Sequence, residues 1–257
     1  MRYTMRTFII TLLATVIGFV SLPAHSEQTV RLAASNWPPY VDTSLPDKGF
    51  IYEIVKEAYE SQGYRPVIQI LPWYQAIELD KRHNDGAFPD YEPYDEQGVV
   101  CSKPIFGGPV GLYKRKDSPL RWLTKDPAQN QEQAFRALRQ YRFGIVDGYL
   151  NTQAFDNADY LKKSIVDNDY QNLKQLANKQ VDFAMTDIFT AEYLMEKHKP
   201  ELDNIVFMGP SLENKKIYVC FSKNAKNYQA KINALNTGLD HLTETGQLDD
   251  IVRKYNF

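Results

Sequence analysis

The 257-residue sequence predicts an α/β protein of two lobes with a ligand cleft between them. Three observations carry that expectation. The apolar pattern from Thr29 to Phe88 reads β-α-β-α-β, the rhythm of an open parallel sheet. Beyond Gly107-Gly108 the pattern begins again, so a second α/β unit follows in the same chain. The strand ends of the first unit carry rigid aromatic loops, WPPY at 37–40, PWY at 72–74 and FPDYEPY at 88–94. Aromatic loops gathered at one edge of such a sheet describe a ligand cleft.

The first 26 residues read as a separate object. Arg2 and Arg6 form a positive leader, Phe8 to Leu22 an apolar core, and Ala24-His25-Ser26 places small residues at a cleavage site. This is the pattern of a secretory signal peptide, and the apolar run is short for a membrane-spanning helix. The expected location is therefore the periplasm. Removing the leader takes two arginines and no acids, leaving the exported part slightly more acidic than the whole chain's −2. Such a balance gives no reason to expect nucleic acid or a membrane surface as a partner. Cys101 and Cys220 are the two cysteines. In an oxidising compartment they read as a disulfide that would stabilise by roughly 4–5 kcal/mol, with two buried free thiols as the alternative. No CxxC or HxxxH spacing occurs, so neither a metal site nor a cofactor is expected.

Taken in order, Thr29–Ser35 alternates Val30, Leu32 and Ala34 as a first strand, ended by a loop that cannot continue the sheet. Apolar residues at 50, 51, 54, 55, 58 and 59 form a helical stripe stopped by Gly63. Val67–Leu71 is a second strand, Pro72-Trp73 opens a helix to about Lys81, and Asp85–Phe88 is a third strand broken at Pro89. In the second unit, strands are expected at Val110–Lys114, Phe143–Val146, Ser164–Val166 and Val181–Thr186. The strand at 110–114 is followed by a polar loop over 117–131 that holds Trp122. Helices are expected up to about Tyr141, over Asn151–Asp159, over Tyr170–Ala177 and, opened by Asp187, over Ile188–His198. Strands at Asn204–Met208 and Ile217–Ser222 precede helices Tyr228–Thr245 and Gln247–Tyr255, separated at Gly246. The second unit reads as an insertion, with the C-terminal helices returning to the first.

Each candidate site residue has a bland reading beside the functional one. Asp90 and Glu92 are either cleft acids or solvated loop charges. Asp187 suits an N-cap as well as a ligand contact, and the two roles are compatible. Trp37 and Trp73 are either cleft walls, stiffened by their neighbouring prolines, or core residues under their loops. Tyr40, Tyr74, Phe88 and Tyr149 can add flat apolar walls or cation–π faces.

Several stretches resemble the extracellular solute-binding proteins of family 3, periplasmic components of polar-amino-acid ABC importers. They are WPPY at 37–40, GFIYEIVKEAYESQG at 49–63, SKPI at 102–105, FGIVDGY at 143–149, LKQLANKQVDFAMTD at 173–187 and TGQLDDIVRKY at 245–255. The resemblance implies a type II periplasmic-binding-protein fold, two lobes joined by two crossover strands. Lobe 1 would comprise 27–106 plus 213–257, and lobe 2 would comprise 107–212. It also implies hinge closure on a small-molecule ligand, a monomer, and an ABC permease in the inner membrane as partner.

The departures from the family pattern carry the ligand expectation. Where the family holds an α-carboxylate with the arginine of a T-x-x-R motif, a gap-free count puts Tyr94-Asp95-Glu96-Gln97, so Gln97 replaces the arginine. The family's hydroxyl positions fall on Asp90 and Glu92, and a lobe-2 threonine is Tyr149. The family's aspartate for the ligand's amino group is matched by Asp187. A carboxylate placed against Asp90 and Glu92 would meet like charge in a partly dry cleft, which costs several kcal/mol. The expected ligand is thus a cation or a polyhydroxyl compound, although Arg65, Arg121 or Arg142 can serve an anion from elsewhere. Two further readings stand beside transport. One is a dehydratase-like enzyme of related fold using Asp90 and Glu92 as an acid–base pair, against which no nucleophile–base set or GxSxG is present. The other is a sensing module for a membrane receptor.

Overall fold

The computed structural model describes residues 28–78, 83–91 and 98–255. The leader, residues 79–82 and the acidic stretch 92–97 lie outside the described residues. In the first unit, β1 (Gln28–Ser35) runs parallel to β2 (Tyr64–Leu71) on one side and β3 (Gly86–Tyr91) on the other. The connection from β1 to β2 is α1 (Phe50–Ser61), whose stripe Phe50, Ile51, Ile54, Val55, Ala58 and Tyr59 is wholly buried. Burying such a side chain stabilises by about 1.5–3 kcal/mol, so this face binds the helix to the sheet. The core of this unit joins that stripe to Val30 and Leu32 of β1 and to Leu235, Leu239 and Leu242 of the C-terminal helix α7 (Tyr228–Glu244). The last helix, α8 (Gln247–Lys254), completes the return.

The second unit contains β6 (Arg142–Val146), parallel to both β7 (Lys162–Val166) and β8 (Phe183–Asp187). Side chains alternating along β8 feed two separate cores. Phe183 and Met185 join Phe135, Phe143 and Phe155 on one face, whereas Ala184 joins Leu173, Leu176 and Ala191 on the other. The helices that cover these faces include α3 (Gln131–Ala137), α4 (Gln153–Asp156), α5 (Asp169–Ala177) and α6 (Ile188–Lys197).

Two ten-residue strands, β5 (Phe106–Arg115) and β10 (Glu213–Ser222), connect the units. The first half of β5 pairs antiparallel with the first half of β10, and its second half pairs with β8. The second half of β10 pairs with β3 and with the short β4 (Val99–Cys101). The sheet order is therefore β2-β1-β3-β10-β5-β8-β6-β7, with β4 beside β10 and β9 (Ile205–Phe207) beside β5. This is the two-lobe type II architecture with paired crossover strands. Cys101 and Cys220 face each other across β4 and β10 and form a disulfide, with Cα atoms 4.0 Å apart. The free-thiol alternative is thereby set aside.

Local differences from the sequence expectations have local causes. Pro89 does not break β3, which continues to Tyr91. The ladder with β10 shifts register between Tyr218 and Cys220, and the irregularity accommodates a residue without an N–H. The helix after Pro72 is the single turn α2 (Trp73–Ala76), α3 stops at Ala137 in successive tight turns to Tyr141, and α4 is one turn capped by Thr152. β10 begins four residues earlier than periodicity suggests. Its polar start, Glu213 to Lys216, pairs with Gly107 to Val110, where a Cβ on Gly107 would lie 2.6 Å from the Lys215 carbonyl oxygen. The strand there is held by close backbone approach, which hydrophobic patterning does not register.

Candidate functional site

The carboxyl ends of the parallel strands from both lobes meet at one place. After β1 the Trp37–Val41 turn is locked by reciprocal backbone bonds, Trp37 N–H to the Val41 carbonyl at 2.7 Å and Val41 N–H to the Trp37 carbonyl at 3.0 Å. This turn buries Trp37 and Tyr40 with ring centroids 4.8 Å apart. After β2, Pro72 starts the turn that presents Trp73, and the end of β3 supplies Asp90 and Tyr91. From the facing lobe, Gly148 takes a left-handed conformation (φ 71°) after β6 and sets Tyr149 against both tryptophans, 5.9 Å from the Trp37 ring and 6.3 Å from the Trp73 ring. Tyr91 closes the set edge-on to Trp37 at 5.3 Å. Ser35, Trp37, Trp73, Pro89, Asp90, Tyr91, Tyr149 and Leu150 line a narrow cleft.

Of the sequence-predicted residues, Trp37, Trp73, Asp90 and Tyr149 line this cleft. Tyr40 and Asp187 lie directly behind it and face one another. Gly108 of β5 sits between them, and a Cβ there would stand 2.6 Å from both the Tyr40 hydroxyl and Asp187 Oδ2. Phe88 is a correction. It is fully buried in the first lobe's core beside Tyr52, because alternation along β3 turns it inward while Asp90 faces the cleft. Tyr74 is largely exposed outside the lining. Glu92 and Gln97, with Tyr94, Asp95 and Glu96, lie outside the described residues.

Asp187 fills the capping role that its position suggested. As N-cap of α6, its Oδ1 accepts the Thr190 N–H at 2.9 Å, while Oδ2 accepts the Tyr91 hydroxyl at 3.4 Å from the opposite lobe. Burial pushes its carboxyl up to about 6, and the negative charge of Asp169 adds to the rise. The Thr190 N–H and the Tyr40 and Tyr91 hydroxyls pull the other way. Asp169, which sequence reasoning missed, is the second buried acid. It opens α5, its Oδ1 accepts the Thr186 hydroxyl at 2.9 Å, and burial likewise raises it to about 6 against the pull of Thr186, Tyr149 and Trp37. Its only sequence signal is an acid at the start of a helix near a strand end, a pattern shared by many first turns. Tyr91 and Lys215 were also missed. Lys215 is buried on β10, donates from Nζ to the Asn151 carbonyl at 2.6 Å and lies 4.7 Å over the Tyr91 ring; burial lowers its pKa.

Donors around the cleft are themselves incompletely used. The Trp37 and Trp73 indole N–H groups and the Tyr40 hydroxyl are buried without a hydrogen-bond partner. Buried polar atoms in that state cost free energy unless a ligand or solvent group reaches them. The arrangement can hold a small polar molecule between aromatic faces and carboxylates contributed by both lobes. Among the described residues, no cluster of three or more metal-ligating side chains occurs.

Known structures share this architecture. A histidine kinase sensor domain with similarity to periplasmic binding proteins superposes with a TM-score of 0.75 at 16% identity, covering 90% of this chain and 96% of its own. An ancestral arginine-binding protein bound to arginine gives 0.73 at 17% identity, over 91% and 100%. The substrate-binding protein of an amino acid ABC transporter gives 0.70 at 15% identity, over 89% and 99%. At such identities the likeness concerns the fold. No curated protein sequence matches the chain significantly. The family model for bacterial extracellular solute-binding proteins, family 3, matches residues 30–257, almost the whole of the described fold, and the chain belongs to that family.

Proposed function

We propose that the protein captures a small polar solute, cationic or amine-bearing, in the cleft between its lobes and delivers it to an ABC permease in the inner membrane. In this reading the first 26 residues direct export to the periplasm, and the lobes are 27–106 with 213–257, and 107–212. The observation that carries the ligand class is Asp187, a buried carboxylate facing Tyr40 and Tyr91, with no ion pair among the described residues. A ligand cation would relieve the burial of that charge, whereas a ligand carboxylate beside it would add to it. The protein would thus not hold an ordinary α-amino acid by an arginine–carboxylate contact.

A thermal-shift screen of the purified protein against amines, amino acids, sugars and organic acids tests this. A ligand at about a hundred times its Kd stabilises by about 2.7 kcal/mol, a readable rise in Tm. A response to amines is expected. A response confined to organic acids or to N-blocked amino acids, which retain only the carboxylate, would refute it. The likeness to a histidine kinase sensor domain supports a second reading, in which the same liganded shape is presented to a membrane receptor. Co-purification with permease or receptor subunits after crosslinking separates the two.

A further inference from the structure

Asp169 lies in the same buried region as Asp187, and its local structural duties do not call for a charge. The cap of α5 is already made by Asn168, whose side chain accepts the Gln171 N–H at 2.9 Å. What Asp169 adds is acceptance of the Thr186 hydroxyl, with the Tyr149 hydroxyl also drawn to it, and a neutral asparagine could accept these without burying a charge. Neither Asp169 nor Asp187 forms an ion pair among the described residues, although Asp169 is 6% exposed and Asp187 3%. The nearby buried cation, Lys215, is directed elsewhere. Its ammonium is bonded to the Asn151 carbonyl, and the charges acting on it are those of Glu213, Asp156 and Asp90.

The opposing surface points to an occupant. Trp37, 6% exposed, and Tyr40, fully buried, turn an indole N–H and a hydroxyl toward Asp169 and Asp187 without reaching hydrogen-bond geometry to any group. Both come from the first lobe, and both acids come from the second, so a molecule entering as the lobes part would meet carboxylates on one side and aromatic faces on the other. Two carboxylates attract a cation more strongly than one, and the aromatic faces add cation–π attraction. A quaternary ammonium would satisfy the rings but would bring no N–H to the carboxylates.

We infer that Asp169 is a second ligand-binding carboxylate, and that with Asp187 it selects an organic cation bearing N–H donors, a primary ammonium or a guanidinium. This rests on the cleft being the solute site, as proposed above, and names the group that sets its specificity. Thr186, which bonds Asp169 and precedes Asp187 on β8, is the positioning residue of the pair.

The test is calorimetric titration of the purified protein with putrescine, agmatine, L-lysine and L-arginine, and with choline as the cation lacking N–H. At least one of the first four binds, choline binds more weakly, and Asp169→Asn and Asp187→Asn each weaken binding about tenfold or more. Ligand-free melting temperatures establish that the variants fold; removing a buried charge should leave Asp169→Asn at least as stable as the parent. A second readout requires no variant. Between about pH 7.5 and pH 5 the amines keep their charge, so affinity should fall with a slope of more than one proton as the two acids protonate together. Asp169→Asn binding within twofold of the parent, choline binding best, a slope of one proton or less, or silence from all four probes would overturn the inference. Silence from these four together with a clear response to a neutral solute would leave solute capture in the cleft standing and remove only the acid pair's role. Silence across the wider screen would remove both.

Discussion

At Asp187 one carboxylate oxygen is taken by the Thr190 N–H, so asparagine there keeps the cap of α6 while removing the charge. That separation makes the buried acids testable without a ligand. Asp169 and Asp187 both titrate at about 6 in the folded protein, above the ordinary carboxylate value of 3.8. The folded state therefore binds protons more readily than the unfolded chain between about pH 4 and pH 6. The stabilisation from their protonation is fully present below about 4 and is lost as pH rises through about 6. Tm of the ligand-free parent should accordingly fall more steeply over this window than that of the Asp169→Asn, Asp187→Asn double variant; parallel curves would contradict the burial of these charges. Gly108 gives a steric counterpart. A methyl at this position would press on the Tyr40 hydroxyl and Asp187 Oδ2, so Gly108→Ala should weaken ligand binding more than it lowers Tm. Equal ligand affinity in parent and variant would show that this contact is not part of the site.

Packing between elements sets the shape of the first lobe. α1 and α7 approach so closely that a Cβ on Gly238 would lie 2.1 Å from the Ala58 carbonyl oxygen. That atom is helix backbone and cannot swing aside, so Gly238→Ala should cost about 1–3 kcal/mol in denaturant unfolding despite alanine's better helix propensity. Unchanged or greater stability would mean that the helices can separate freely. The β4–β10 disulfide ties down the strand that follows the acidic stretch 92–97. Replacing both cysteines with serine should lower stability by about 2–4 kcal/mol, measured as a shift of the unfolding midpoint. Because neither cysteine lines the cleft, ligand affinity in the folded variant should be preserved.

For the whole molecule, the crossover strands β5 and β10 join lobes whose facing surfaces meet through Trp37, Tyr91 and Tyr149, the Tyr91–Asp187 hydrogen bond and the Lys197–Asp42 ion pair at 3.7 Å. These contacts are few beside the cores within each lobe, so hinge motion about the two strands is the expected response to ligand. Small-angle scattering should give a smaller radius of gyration with saturating ligand than without it. Identical profiles would indicate that the lobes are already closed in solution.

Local patterning made most of the elements legible. The stripe of α1, the alternation of β1 and the apolar run of β8 are each a property of neighbouring residues, and a 3.6- or 2-residue period determines which face is buried. The aromatic loops and the aspartate opening α6 could be placed at strand ends for the same reason. The sequence by itself therefore determined the α/β class, two units in one chain, a cleft at their strand ends, and Trp37, Trp73, Asp90 and Tyr149 on its lining. Tertiary structure decided that Phe88 points into the core, that Cys101 meets Cys220, and that Asp169 stands behind the same cleft as Asp187. Those outcomes depend on strand register and on how β5 and β10 bring distant loops together. No short window of sequence records a contact whose partners are united only when the two lobes fold against each other.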